Sequence, residues 1–326
     1  MDDTLVHDCC TAADSSSVSD SDSSSLPSFR SPFGAPLEPV VARLRAAGCV
    51  FAEEEAELIL DAAGRSTGPG SGEERAADVE VLVDRMVARR CAGEPLEHVV
   101  GWAAFCGLRI AVTPGVFVPR RRTEFLVAQA MRVGRDAALI VDLCCGAAPL
   151  ATALAVRLPR AEIHAADIDP VQTASARRNL ELFANRAHVH EGDLYAALPQ
   201  ALRGRVDLLV ANAPYVPVDA LATLPAEARE HEPVHSLAGG RDGLEIQRRI
   251  AAGADGWLAP GGHVIVETGE DQAPHTRALF AGAGLDAWVA ECEEMEATVV
   301  VGRRPRSARS GPAACRMARS TCSCPE

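Results

Sequence analysis

The most chemically specific string in the chain is Ala211-Asn212-Ala213-Pro214-Tyr215. Asn212 offers a side-chain carbonyl as an acceptor. Pro214 forces Ala213 out of the helical region, so the Ala213 carbonyl projects instead of closing a helical turn. Tyr215 adds a flat aromatic face. Two acceptors beside an aromatic plate suit a planar NH₂ group, whose two N–H donors they take together. The other reading is a plain turn built by Asn and Pro. The string directly follows the apolar run Val206 to Val210, a strand-end position that favours the chemical reading.

Three other strings end β-rich runs. Leu139 to Leu143 is followed by Cys144-Cys145-Gly146-Ala147-Ala148 and then Pro149, which suits the first position of a helix. A small-residue loop turning into a helix lets backbone N–H groups approach a ligand, as in phosphate and nucleotide sites. The pattern G-x-G-x-x-G is absent, which weakens a nicotinamide-dinucleotide reading. After Ile163 to Ala166 comes Asp167, a carboxylate that can accept from both hydroxyls of a ribose; helix capping is the competing role, and Asp169 before Pro170 is the better cap. After His188 to His190 comes Gly192-Asp193-Leu194, where Asp193 is either an acceptor for an adenine amino group or a solvated turn residue.

These loops need a frame. Runs at Leu139 to Leu143, Ile163 to Ala166, His188 to His190, Val206 to Val210, His263 to Glu267 and Ala287 to Val301, the last with a break, alternate with helical segments at Leu150 to Arg157, Pro170 to Phe183 and Gly243 to Ala254. Alternation of this kind predicts an α/β fold, a largely parallel sheet with helices on both faces, whose ligands bind outside the carboxyl ends of the strands. Ahead of it, Val40, Val41 and Leu44, then Leu58, Ile59 and Ala62, then Val79, Leu82, Val83, Met86 and Val87 recur at helical spacing. They predict a small helical domain over 37–106. Alternation from Leu108 to Val118, split by Pro114-Gly115, predicts a hairpin, part of a hairpin and linker-helix segment over 107–136 before the sheet domain of 137–303.

Composition narrows the classes. The chain has 326 residues, 48% of them apolar, and a formal net charge of −13. It holds no run of ~20 apolar residues long enough to cross a membrane, and its negative balance disfavours non-specific binding to nucleic acid, which depends on phosphate neutralisation. All 32 basic residues are arginine. Without lysine there is no Schiff base, no usual pyridoxal phosphate linkage and no P-loop lysine. The eleven cysteines show neither zinc spacing nor a disulfide framework, so no metal is expected. Met1 to Cys10 lacks the basic and apolar regions of a signal peptide, and a cytoplasmic setting with reduced thiols follows. The Ser/Asp-rich stretch 1–36 and the Arg-rich stretch 304–326 are expected to be disordered tails.

In this order, the strings resemble the HemK-type protein glutamine methyltransferases, from about Leu37 to Arg303. Val112-Thr113-Pro114-Gly115-Val116-Phe117-Val118-Pro119-Arg120-Arg121-Arg122-Thr123-Glu124 is similar to that family's domain-joining signature, and Asn212-Ala213-Pro214-Tyr215 to its N-P-P-Y. His231-Glu232-Pro233 and Ala238-Gly239-Gly240-Arg241-Asp242-Gly243 fall where it carries similar strings. The resemblance implies a Rossmann-like S-adenosylmethionine-dependent methyltransferase domain behind a helical substrate-recognition domain. The implied acceptor is the side-chain amide of a protein glutamine, that of the Gly-Gly-Gln loop of a peptide chain release factor. It assigns the chemistry to Asn212, Ala213, Pro214 and Tyr215, and the cofactor to Asp142, Cys144, Gly146, Ala148, Asp167, Asp193, Leu194 and Asn212.

The departures are specific. Where the family reads G-x-G-x-G, only Gly146 remains between Cys144 and Ala148. The Ala148 methyl is expected near the methionine end of the cofactor, lowering affinity unless its φ is negative. Arg121-Arg122 replaces Pro-Glu, and Leu194 replaces a frequent aromatic. The alternatives are an adenine-N6 methyltransferase, which uses the same acceptor logic, and a degenerate cofactor-binding module that has lost turnover.

Overall fold

The computed structural model describes residues 37–67 and 72–306; the two predicted tails therefore lie almost wholly outside the described residues. Four helices come first: α1 (Leu37–Ala46), α2 (Ala52–Ser66), α3 (Gly72–Cys91) and α4 (Leu96–Val100). Val40, Val41 and Leu44 pack with Ile59, Leu60, Val79, Val83, Met86 and Val87 in a core of their own. Leu58 is only half-buried, and Ala56 and Leu60 flank Ile59 on the buried face of α2 in its stead. Each stripe covers one side of its helix, which is what three-and-four spacing requires.

The hairpin is one turn earlier than the sequence predicts. It pairs β1 (Trp102–Phe105) with β2 (Leu108–Ala111) around Cys106-Gly107. Past Ala111 the chain turns at Pro114-Gly115, where the Val116 N–H donates to the Thr113 carbonyl (3.0 Å), and Val112, Val116 and Val118 are buried, but the segment forms no paired strand. Side-chain amides take the place of a partner strand. Asn179 accepts from the Ala111 N–H (2.8 Å) and donates to the Ala111 carbonyl (2.9 Å). Gln172 accepts from the Phe117 N–H (3.2 Å) and donates to the Gly115 carbonyl (3.1 Å). The alternation from Val112 to Val118 is therefore a burial pattern satisfied by α7 (Pro170–Asn179), and only its start at Leu108–Ala111 is strand pairing.

The helix α5 (Glu124–Gly134) leads into a seven-stranded sheet. Its strands are β3 (Leu139–Leu143), β4 (Glu162–Asp167), β5 (Ala187–Glu191), β6 (Val206–Ala211), β7 (Leu258–Thr268), β8 (Asp286–Cys292) and β9 (Ala297–Arg303). The order is β5-β4-β3-β6-β7-β9-β8, parallel throughout except that β9 runs antiparallel between β7 and β8. Every residue of β3 is buried, as expected for a strand covered on both faces. One face packs on α5, α6 (Pro149–Arg157) and α7, the other on α9 (Glu245–Trp257) and α10 (Ala273–Gly282). The strand β7 begins at Leu258, before the predicted His263, because the Pro260-Gly261-Gly262 segment bulges between two pairings with β6. The predicted start of the basic tail also moves. The Arg304 N–H donates to the Gly262 carbonyl (2.8 Å) and the Arg304 carbonyl accepts from Gly261 (2.9 Å), so the chain stays tied to the sheet through Arg304.

Strand order reverses between β4-β3 and β3-β6, which opens a crevice there. Leu143 stands in register with Ala166 on one side and Ala211 on the other, and Ala166 with His190. The four loops singled out by sequence therefore leave the sheet at one level, side by side.

Candidate active site

The loop after β3 is built on left-handed backbone. Cys144 has φ +56°, Gly146 +55° and Ala148 +59°. These are the three positions at which the resembled pattern carries glycine, and two of them here bear a Cβ in a region costing ~1–2 kcal/mol for an L-residue. The condition for tolerating Ala148, a negative φ, is not met. Its methyl does not reach a cavity, however: Ala148 is fully buried in the core around α5, α6 and α7.

Ala148 stands at the N-terminus of α6 without a capping side chain. Asp142 supplies the missing acceptor from below, taking the Ala151 N–H on Oδ2 at 3.1 Å. It is wholly buried, its Oδ1 has no hydrogen-bond partner, and burial pushes its carboxyl up to about 8. Asp142 thus sits beneath the loop instead of lining a cavity.

Three adjoining cavities open at the strand ends. The first, of ≈ 340 Å³, is lined by Cys144, Gly146, Asp167, Ile168, Asp193, Leu194, Asn212 and Pro214 among others. That volume lies in the range of small-molecule sites, about 300–1,000 Å³. The second, of ≈ 270 Å³, is lined by Arg120, Arg122, Asn212, Ala213, Pro214, Tyr215 and by Leu224, Pro225 and Glu227 from the segment entering α8 (Ala226–His231). A narrow annex of ≈ 20 Å³ lies between Pro119, Thr123, Cys144, Gly146 and Asn212. Asn212 and Phe117 line all three.

Inside the first cavity, Asp167 accepts from the Gly146 N–H (2.9 Å) and the Asp169 N–H (3.0 Å), one on each carboxylate oxygen. Burial raises its carboxyl above the ordinary range and these two N–H groups offset part of that rise. A capping bond to Asp169 is thus part of its role, while Asp169 itself caps α7 by accepting from the Val171 N–H at 2.7 Å. The Asp193 carboxylate pairs with Arg249 at 2.6 Å, both half exposed at the rim.

At the second cavity the Tyr215 hydroxyl accepts from Arg122 Nη2 (2.8 Å) and donates to Glu267 Oε1 (3.2 Å), which also accepts from Arg122 Nε (3.2 Å). Burial first, then the Glu267 charge, pushes the phenol up to about 12. Arg120 pairs with the buried Glu232. Asn212 donates from Nδ2 to the Thr123 hydroxyl at 3.3 Å, which orients its amide.

The glycine string after α8 fixes this loop. A Cβ on Gly239 would lie 2.7 Å from the Pro214 carbonyl oxygen, and one on Gly243, at φ +76°, 2.3 Å from the Tyr215 carbonyl oxygen. Gln272 donates to the Tyr215 carbonyl at 3.0 Å.

Seven residues expected from sequence line the first cavity: Cys144, Gly146, Asp167, Asp193, Leu194, Asn212 and Pro214. Ala213 and Tyr215 lie on the second, and Asp142 and Ala148 on neither. Sequence reading gave no role to Phe117, although its place between the Thr-Pro-Gly turn and Pro119 was a usable signal, nor to the Arg122–Tyr215–Glu267 cluster, whose members are far apart in the chain.

The family model described as methyltransferase small domain matches residues 107–227, from the hairpin through all four strand-end loops. A release factor glutamine methyltransferase of Mycolicibacterium smegmatis is 40% identical over 260 residues, covering 76% of this chain and 88% of its own length. One from Geobacter sulfurreducens is 39% identical over 219 residues, covering 67% and 76%. A 4-amino-L-phenylalanine/4-methylamino-L-phenylalanine methyltransferase of Streptomyces pristinaespiralis is 38% identical over 205 residues, covering 61% and 69%. With a strand-end cavity fit for a nucleoside and relatives of this identity over most of their length, the chain belongs to the release factor glutamine methyltransferase family, whose cofactor is S-adenosylmethionine.

Proposed function

We propose that this protein methylates the side-chain amide nitrogen of the glutamine in the Gly-Gly-Gln loop of a peptide chain release factor. The observation that carries the reading is the position of Asn212 and Phe117, shared by a nucleoside-sized cavity, an acceptor-side cavity and the small annex beside them.

The residues present fit the cofactor: a carboxylate at Asp167 for the ribose hydroxyls, Leu194 and Ile168 as apolar walls, and the tight Cys144–Ala148 loop beside the annex. When bound, S-adenosylmethionine supplies a methyl group on a sulfonium, whose S–C bond breaks as the N–C bond forms. Everything else falls to the chain. An amide nitrogen is a poor nucleophile because its lone pair is delocalised into the carbonyl. The Asn212 Oδ1 and the Ala213 carbonyl accept its two N–H groups, draw electron density back onto nitrogen and fix its direction of attack. Orientation of this kind lowers barriers by several kcal/mol. The Thr123 hydroxyl holds the Asn212 amide in the required sense. No strong base is needed beforehand, since the proton leaves to water once nitrogen carries the methyl group. Pro214 and Tyr215 wall the amide, and the Arg122 and Glu267 contacts keep the phenol in place.

Both arginines on the acceptor cavity are neutralised, Arg120 by Glu232 and Arg122 by Glu267. Such a site suits a neutral amide on a protein loop better than a free amino acid, whose carboxylate asks for an unpaired cation. The helical module reaches the same lip, because Arg90 on α3 pairs with Glu55 of α2 (2.6 Å) and with Glu227 of α8 (2.7 Å). That bridge supports a substrate-recognition role for residues 37–106. The net charge of −13 supports a protein partner over nucleic acid. No helix among the described residues is long and apolar enough to cross a membrane.

The test is transfer of labelled methyl from the cofactor to intact release factor, beside a copy with alanine for the Gly-Gly-Gln glutamine, an adenine-containing DNA duplex and free 4-aminophenylalanine. Label on the native release factor alone is expected. Label that persists on the alanine copy, or appears only on DNA or the amino acid, refutes the reading; cofactor binding with no transfer to any of them identifies a degenerate module.

A further inference from the structure

Away from the strand ends, the β5 edge of the sheet gathers three imidazoles and a carboxylate. Val141, His164 and His188 stand in one row across β3, β4 and β5. The two-residue strand period brings Glu162 and His190 onto the same face. Glu162 Oε1 lies 3.0 Å from His164 Nε2 and 3.9 Å from His188 Nε2. The three ligand atoms all fall within 4.8 Å of one another.

We propose that Glu162, His164 and His188 form a binding site for a divalent transition metal of the zinc class. Zinc bonds to imidazole nitrogen and carboxylate oxygen run at about 2.0–2.2 Å, so ligand atoms at the corners of a tetrahedron stand about 3.4 Å apart. The two separations from Glu162 bracket that value, so the set needs only small adjustment to hold an ion. The side chains of Glu162 and His188 are 50% and 45% exposed, whereas that of His164 is 5% exposed. One ligand is therefore held by the protein and two are free to adjust.

His190 completes the arrangement without being a ligand. Its Nε2 lies 2.8 Å from His164 Nδ1, with the two rings nearly coplanar and their centroids 5.1 Å apart. A bond from His164 Nδ1–H to His190 presents the bare Nε2 of His164 to a metal, the outer-sphere support that ligating histidines regularly have. On this face α9 packs over β7, and α10 over β8 and β9. Towards β5 the cover reduces to short turns such as Leu194–Ala197, and Glu162 and His188 face solvent there. A search along the chain for cysteine and histidine spacing misses such a site, because its ligands come from neighbouring strands. The site lies three residues, about 10 Å, below Asp167 on β4, and does not depend on the methyltransferase reading.

Titration of the full-length protein with Co²⁺, followed by calorimetry and visible absorption, tests the proposal. Because the terminal segments carry cysteines of their own, the difference between proteins is read and not total uptake. His188→Gln is expected to lose one equivalent of micromolar binding relative to wild type while its metal-free melting temperature stays unchanged. His190→Gln should weaken binding 10–100-fold, as the loss of an outer-sphere partner does. Equal titrations of wild type and His188→Gln, or no micromolar uptake by wild type, overturn the proposal.

Discussion

Restoring glycine at position 148 tests how the left-handed loop is tolerated. If Ala148 hindered the cofactor, Ala148→Gly should tighten binding; the structure predicts otherwise, since the methyl is wholly buried in the core beneath α6. Relief of the +59° φ gains ~1–2 kcal/mol. Against it stand ~0.5–1 kcal/mol for the greater freedom of an unfolded glycine and ~0.8 kcal/mol for the buried methyl. The terms nearly cancel, so Ala148→Gly should melt close to wild type and bind S-adenosylmethionine within twofold. Gly146→Ala is the contrasting change. Gly146 lines both the first cavity and the annex at φ +55°, so a methyl there adds strain and takes ligand space together. A loss of cofactor affinity of tenfold or more is expected. Calorimetric titration and thermal melts of the two variants decide. A tenfold gain in affinity for Ala148→Gly would show that its methyl faces the ligand and would refute the reasoning.

Three further outcomes follow from the same geometry. Asp167→Ala should abolish cofactor binding measurable by calorimetry while leaving the protein folded, since a charge-assisted hydrogen bond contributes ~1.5–3 kcal/mol; wild-type affinity would remove Asp167 from the site. Asn212→Ala should leave cofactor affinity within a few-fold and depress methyl transfer ~100-fold or more, the scale for one aligned polar group at a reacting centre; equal losses in binding and turnover would make Asn212 a cofactor residue only. Asp142, with its carboxyl raised to about 8 by burial, holds its proton in the folded state where the unfolded chain has released it. Stability therefore falls by up to ~1.4 kcal/mol per pH unit between about pH 4 and 8. Asp142→Asn removes that slope, so its advantage in urea unfolding should grow over this window; an advantage independent of pH would mean that Asp142 is ionised.

How much of this was legible depends on what signalled each element. The strands β3, β4 and β6 are short, mostly apolar runs, and the loops that follow them line the candidate site, so run and loop were found together. The hairpin was misplaced because burial against α7 imposes the same alternation as strand pairing, and only the amides of Asn179 and Gln172 reveal the difference. The left-handed φ at Ala148 runs against the residue's own preference and is imposed by the turn into α6. Arg120 and Arg122 meet Glu232 and Glu267 from positions 112 and 145 residues away, a pairing no local pattern encodes.

Those pairings bear on how a divergent sequence keeps its chemistry. Arg122 stands where the resembled signature has an acid, beside a Glu267 that is 2% exposed and has one oxygen without a partner. An uncompensated buried carboxylate is costly, and Arg122, whose side chain is 46% exposed, offsets part of that cost from the solvent side. Arg122 bonds Glu267 Oε1 and the Tyr215 hydroxyl at once, so the substitution introduces a cation without leaving net charge against the acceptor cavity. In the proposed mechanism, what faces the reacting amide is then a set of neutral acceptors, Asn212 Oδ1 and the Ala213 carbonyl. Neutral acceptors do what the chemistry asks: a carboxylate in their place would compete for the sulfonium charge, whereas a carbonyl polarises the amide N–H and leaves the electrophile its full charge. The proline missing at 213 changes nothing in that set, because Pro214 alone sets the direction of the carbonyl before it.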